Sequence, residues 1–209
     1  MKLLDCLKWE KDPDSTLPRI ALAASAFLPF LNRQNPKKYL LTHGDLKVWH
    51  KKLFQNAVPV PYYAGNYRKK DLAKPCLEKE VQVNGVAGAP FSQVETLMKK
   101  FSDQLGKATI ATDEYLAMPR TPQERIHAAA QIAAFAGGEI IKIHPFLNGN
   151  GRIQRLAMNF FLHRYLNVVP FFVDRPTNPN YSAAGFYAMR DGVYLPLYQY
   201  LIEILVGNF

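Results

Sequence analysis

Residues 144–155 read HPFLNGNGRIQR, and few stretches of the chain hold so many side chains able to do chemistry. Gly149 and Gly151 flank Asn150, and a helix is expected to start just after Gly149, with Ile153, Leu156, Phe160 and Tyr165 as its buried stripe. A helix N-terminus presents unpaired N–H groups and partial positive charge, so its first turn favours acids. This one instead carries Arg152 and, one turn on, Arg155, with no acid. Bare N–H groups, glycines that do not block the backbone and two guanidiniums that fork onto oxygen pairs describe a phosphate site. His144 stands five residues ahead, where Pro145 prevents the preceding helix from continuing cleanly. An imidazole there can take a proton from a hydroxyl that attacks phosphorus.

The elements that must hold these residues are mostly helices. Residues 121–143 form the clearest one, with Thr121 and Glu124 spaced as a capping box, Pro122 at the first helical position and an Ala-rich middle suited to close packing. Leu46, Trp49 and Leu53 predict a helix over 42–54, starting near Thr42 or Asp45, followed by a Pro- and Gly-punctuated loop over 55–68. VQVNG (81–85) alternates and stops at Asn-Gly, which predicts a strand and turn, paired with residues near 66–74. Residues 91–105 read as an amphipathic helix with Ser92 and Glu95 as its capping box, and YLPLYQYLIEIL as a closing apolar helix. Residues 15–31 read as a buried helix ending near Pro29; the apolar run 20–31 is shorter than the roughly 20 residues a membrane span needs. Helices with one small hairpin make a mostly α fold.

Composition narrows the function classes. The chain has 209 residues, of which 48% are hydrophobic, enough for a packed core. Two cysteines make no disulfide framework, and a reduced, cytoplasmic setting is the default expectation. The N-terminus lacks the apolar core of a secretory signal. The five histidines include no HExxH, there is no CxxC, and no GxxxxGK[ST] loop exists. The net charge is +9, and residues 33–79 hold eleven Lys/Arg against three acids, a net of +8. Such a patch suits nucleic acid or an acidic protein face; no nucleic-acid motif accompanies it, so nucleic acid is not the expected partner.

HPFLNGNGRIQR resembles the signature of the Fic family, HPFx(D/E)GNGRxxR, at eight of its nine specified positions, the departure being Asn148. LTHGDLKVWHKKLF with AGNYR looks like the family's lead-in helix and following segment. VQVNG falls where the family has its flap, and MNFFLHRYLNVVP and YSAAGFYAMRDGVYLPLYQYL look like its closing helices. The resemblance covers roughly residues 40–205. It implies a Fic-type helical core with a small β-hairpin flap over 36–209, behind an N-terminal helical extension, 1–35.

The implied activity is AMPylation, transfer of AMP from ATP-Mg to a Ser, Thr or Tyr hydroxyl of a target protein. Carried over by position, His144 is the base. Gly149, Asn150 and Gly151 form the anion hole, and Arg152 and Arg155 hold the outer phosphates. The acid position that would hold Mg²⁺ is Asn148, a neutral and weaker ligand. The flap, with Tyr67, Arg68, Val81, Gln82 and Val83, receives the target as an added strand. Alternatives are a degenerate nucleotide-binding module, or another phosphate-group transfer on the same fold. Many family members restrain themselves with a helix of pattern (S/T)xxxE(G/N). No Glu is followed here by Gly or Asn, and 15–31 contains Ser25 but no acid, so restraint by a separate antitoxin protein, or none, is expected. No membrane partner is expected.

Overall fold

The computed structural model describes residues 6–9, 16–23, 39–168 and 176–207. Six helices are bounded within them: α1 (His43–Phe54), α2 (Phe91–Ala117), α3 (Pro122–Ile143), α4 (Asn150–Leu166), α5 (Pro179–Asp191) and α6 (Leu195–Val206). Residues 17–23 are also helical, as expected for 15–31; the remainder of that expected helix, Pro29 included, lies outside the described residues. No helix among the described residues is long and apolar enough to cross a membrane.

Helix α3 is the axis of the bundle, packing against α2, α4, α5 and α6. Its Ala-rich run makes this possible: Ala129, Ala130, Ala133, Ala134 and Ala136 are all buried, so neighbouring helices approach closely. Its start is the expected capping box, with the Thr121 hydroxyl accepting from the Glu124 N–H and Glu124 accepting from the Thr121 N–H. The α1 start is the same device, built from Thr42 and Asp45. Ile153, Leu156 and Phe160 of α4 are buried as the stripe requires, while Tyr165 is half-buried.

Two local expectations are corrected. Helix α2 begins after Pro90 with no side-chain cap of its own, so Ser92 and Glu95 form no capping box; Glu80, from the flap, accepts from the Phe91 N–H instead. The helix also runs on to Ala117, because Met98, Phe101, Leu105 and Thr109 continue one buried face. The strand pairing is the second correction. β1 (Gln82–Val83) pairs antiparallel with β2 (Val86–Ala87), not with residues near 66–74. Asn84 and Gly85 both have positive φ (50° and 81°), the two-residue turn that Asn-Gly favours, so the nearest following strand is the partner.

The cysteines are a third correction. Cys6 and Cys76 are joined in a disulfide across a separation of 70 residues. A pair so far apart carries no spacing signal, and the short segment at Cys6 reaches Cys76 only because Trp9 is buried in the main core, as is Ile20.

Candidate active site

The motif is a turn between two helices, and its shape follows from three residues. His144 caps α3 in the left-handed conformation (φ 53°, ψ 59°), which turns the chain out of the helix at Pro145. Gly149 caps the start of α4, also left-handed at φ 79°, and a Cβ there would stand 2.5 Å from the Phe54 ring and 3.1 Å from His50 Nε2. Position 149 is therefore closed to any side chain. Between them, the buried Asn150 side chain clamps the loop: its Oδ1 accepts from the Phe146 N–H and its Nδ2 donates to the Phe146 carbonyl, both at 2.9 Å. Asn150 thus contributes a loop brace through its side chain, and only its backbone is free to serve an anion.

The imidazole of His144 has a defined tautomer. Nδ1 lies 3.3 Å from the Ile141 carbonyl, which can only accept, so Nδ1 carries the proton and Nε2 keeps its lone pair. Burial pushes its pKa down from 6.5 to about 4; the Ile141 carbonyl opposes this, and the Arg68 guanidinium adds to it. The side chain is therefore an unprotonated base at neutral pH.

His144, Leu147 and Asn148 line a cavity of about 450 Å³. Its other walls are Lys79–Val83 and the segment containing Cys6, Leu7 and Trp9. Val81 is half-buried, and Gln82 and Val83 are exposed. Tyr67 and Arg68, also expected at that surface, are not there. Tyr67 is buried, with its hydroxyl donating to the His43 carbonyl at 2.6 Å. Arg68 is fully buried and ties the flap to the end of α3. Its Nε donates to the His144 carbonyl (2.9 Å), Nη1 to Lys79 (3.1 Å), and Nη2 to Ala89 (2.7 Å) and Ile143 (3.2 Å). A guanidinium offers five donors in a fork, enough to satisfy this ring of carbonyls. Arg68 therefore positions the site and is lost from the basic patch.

In the second turn of α4, Arg155 is buried, with Nη1 3.4 Å from the Tyr181 hydroxyl and 3.4 Å from where a Cβ on Gly151 would lie. Arg152 is half-buried, its guanidinium 5.8 Å from the centre of the Phe54 ring. Both guanidiniums thus stay beside the helix end from which they project. Asn148 Oδ1 accepts from the Gly149 N–H at 2.6 Å, folding the side chain back onto its own turn. No cluster of three or more His, Cys, Asp or Glu exists among the described residues. The donor set therefore does not fit a protein-held Mg²⁺: the one residue at the expected position is a neutral amide whose oxygen is already engaged.

One residue of the site was not recognised in the sequence. His50 is fully buried and joins two loops: the Gly65 N–H donates to Nδ1 (2.9 Å), so Nε2 carries the proton and donates to the Asn148 carbonyl (3.0 Å). Its ring stacks on Phe146 at 3.8 Å. The signal available was a histidine on the apolar face of α1, beside Trp49 and Leu53; that pattern does not distinguish a brace from a packed ring.

A helical core with a two-stranded flap beside a His-Pro turn and an arginine-bearing helix start is the architecture of a Fic domain. The Fic/DOC family model matches residues 40–162, and the chain belongs to that family. Two curated relatives, each named protein adenylyltransferase Fic, come from Drosophila willistoni and Drosophila erecta. Each is 26% identical over 137 residues, 66% of this chain. The match spans only 22% and 23% of those longer proteins. Among solved structures, BepC from Bartonella tribocorum with bound AMPPNP aligns with a TM-score of 0.59 at 18% identity, covering 98% of this chain and 94% of that one. A Fic-domain signaling protein from Bacteroides thetaiotaomicron aligns with a TM-score of 0.64 at 18% identity, over 96% and 73%. These likenesses show the fold.

Proposed function

We propose that this protein is an adenylyltransferase that moves AMP from ATP to a Ser, Thr or Tyr hydroxyl of a target protein. The observation that carries the reading is the His144 imidazole, fixed with Nε2 unprotonated at the floor of the flap cavity, five residues from a helix start bearing Arg152 and Arg155. In the reaction the target hydroxyl oxygen bonds to the α-phosphorus, its proton passes to His144 Nε2, and the bond from the α-phosphorus to pyrophosphate breaks. The backbone N–H groups at Asn150 and Gly151, that at Gly149 once it exchanges Asn148 Oδ1 for a phosphate oxygen, and the two arginines hold the phosphates and the charge that grows on the leaving group. Val81, Gln82 and Val83 align the target as an added strand. The named activity of the fly relatives and the nucleotide analogue in the BepC structure support nucleotide transfer. Incubation with ATP labelled at the α- or the γ-phosphate tests it: label from the α-position alone, with a mass gain of one AMP on the acceptor, is expected. Transfer of the γ-label would overturn it in favour of phosphorylation.

Any Mg²⁺ would arrive on the phosphates of ATP. The site works where ATP and target meet, in the cytoplasm of the producing cell or of a recipient cell. The boundary near residue 35 and restraint by a separate antitoxin protein are parts of the same proposal. A second reading, a weakly catalytic nucleotide-binding module, is favoured by one observation, the engagement of Asn148 Oδ1 by its own turn.

Two expected results bear on this choice. Arg155→Ala should weaken ATP by about 1.5–3 kcal/mol, the worth of a hydrogen bond to a charged group, and AMP much less, because Arg155 faces the outer phosphates. Calorimetry giving equal losses would remove it from that role. Asn148→Asp should strengthen ATP binding in saturating magnesium and weaken it in chelator, since a carboxylate attracts the dication but repels bare phosphates. Identical magnesium titrations of the two proteins would show that residue 148 does not face the metal.

A further inference from the structure

The cavity over His144 has one wall that belongs to no part of the Fic motif. Cys6, Leu7 and Trp9 line it, opposite the flap residues Lys79–Val83. This short segment is held at two ends. At one end Trp9 is buried, stacked on Tyr63 (6.2 Å) and edge-on to His50 (5.8 Å) and Phe54 (5.3 Å). At the other end Cys6 is bonded to Cys76, in the turn Pro75–Leu77 immediately before the flap. Between the anchors, Leu7 and Lys8 are exposed, and the hydrogen bond described there is the Tyr63 hydroxyl donating to the Leu7 carbonyl at 2.9 Å.

We propose that residues 6–8 are a strap whose disulfide narrows the target entrance above His144, and that reduction of Cys6–Cys76 by a thiol such as glutathione opens it. The magnitudes decide the direction. One net hydrogen bond contributes about 0.5–1.5 kcal/mol, whereas ordering three backbone units costs about 1–2 kcal/mol each. Without the covalent anchor, residues 6–8 fray from Trp9 outward, while Trp9 keeps its ring contacts. Cys6 is exposed, so a thiolate can reach its sulfur, whereas Cys76 is buried. In the exchange, two glutathione thiols give up two electrons and two protons. The Cys6–Cys76 bond breaks, both cysteines become thiols, and glutathione disulfide forms. The proposed nucleotide cradle at 149–155 spans the start and second turn of α4, outside the lining of this cavity, so the strap governs access of a bulky acceptor and not of ATP.

The inference rests on the proposed entry of a target over His144, but its test does not depend on transfer. The protein is oxidised with glutathione disulfide, or reduced, and acylated with diethylpyrocarbonate, with each histidine followed by mass spectrometry. The exposed His127, hydrogen-bonded to Tyr198 on the far helices, serves as internal reference. The His144-to-His127 rate ratio is expected to rise several-fold on reduction, and Cys6→Ser should show the high ratio in both buffers. A ratio that is the same in oxidised, reduced and Cys6→Ser protein overturns the strap. So does alkylation that captures two free thiols after oxidation, since no tether would then exist. A strap that opens in a protein that transfers nothing would overturn the adenylyltransferase reading alone.

Discussion

His144→Ala is expected to lower AMP transfer by about 10²–10⁴, the usual contribution of a positioned base, and to leave the dissociation constant for ATP nearly unchanged. His144 lines the flap cavity, whose walls do not include Arg152 or Arg155, and the proposed acceptor hydroxyl would enter there. The left-handed backbone at 144 makes the choice of variant matter. Asparagine tolerates that conformation better than alanine, so His144→Asn should match the loss of rate with less loss of stability. Equal turnover in wild type and variant would end the assignment of the base. The wild-type pH profile carries a second check. With the pKa held down near 4 by burial, the acid limb of kcat/KM, which reports the free enzyme, should fall near 4 and not near 6.5.

Arg68→Ala should be the most damaging substitution for the fold around the site. It removes the guanidinium that donates to four carbonyls, at His144, Lys79, Ala89 and Ile143, of which that at Ile143 alone is fully buried and keeps the Ala89 N–H. Losing a charged donor of this kind costs about 1.5–3 kcal/mol, which for a chain of this size lowers Tm by roughly 3–12 °C. Arg68→Lys should recover only part, because an ammonium cannot span the ring of carbonyls. Calorimetric scans that left Tm within a degree of wild type would show that the flap is held by other contacts.

The sequence made the helices legible where local chemistry and periodicity agreed. Thr121–Pro122–Glu124 announced the start of α3, and Asn84–Gly85 announced a turn. The capping box of Ser92 and Glu95 misled because the helix starts earlier, after Pro90, so Ser92 already lies inside it and the distant Glu80 accepts from the Phe91 N–H; local spacing does not contain that placement. The break between α3 and α4 was legible at Pro145 and Gly149, while the phosphate role read from residue types that break the ordinary charge rule for a helix start belongs to the proposed function. Three things were not legible, and each depends on tertiary placement. Arg68 looked like a surface cation until its carbonyl partners surrounded it. His50 became a brace only because Gly65 and Asn148 arrive on opposite sides of its ring. The Cys6–Cys76 pair depends on Trp9 lying in the core, three residues from Cys6.

The brace at His50 makes the fold a consumer of protons when it opens. A ring that must accept at Nδ1 and donate at Nε2 works only while neutral, and burial drives its pKa down to about 3. Once unfolded it titrates near 6.5. Between those limits the unfolded chain holds a proton that the native protein refuses, and His144 behaves alike down to about 4. Stability from these two rings is therefore complete above pH 6.5 and drains away as the solution is acidified. Each ring contributes a slope of about 1.4 kcal/mol per pH unit inside its window. Near pH 5 the denaturation midpoint should shift with acid about as two protons require, and His50→Gln should halve that shift. The same imidazole that fixes the Asn148 turn thus makes an acidic compartment costly to the whole fold.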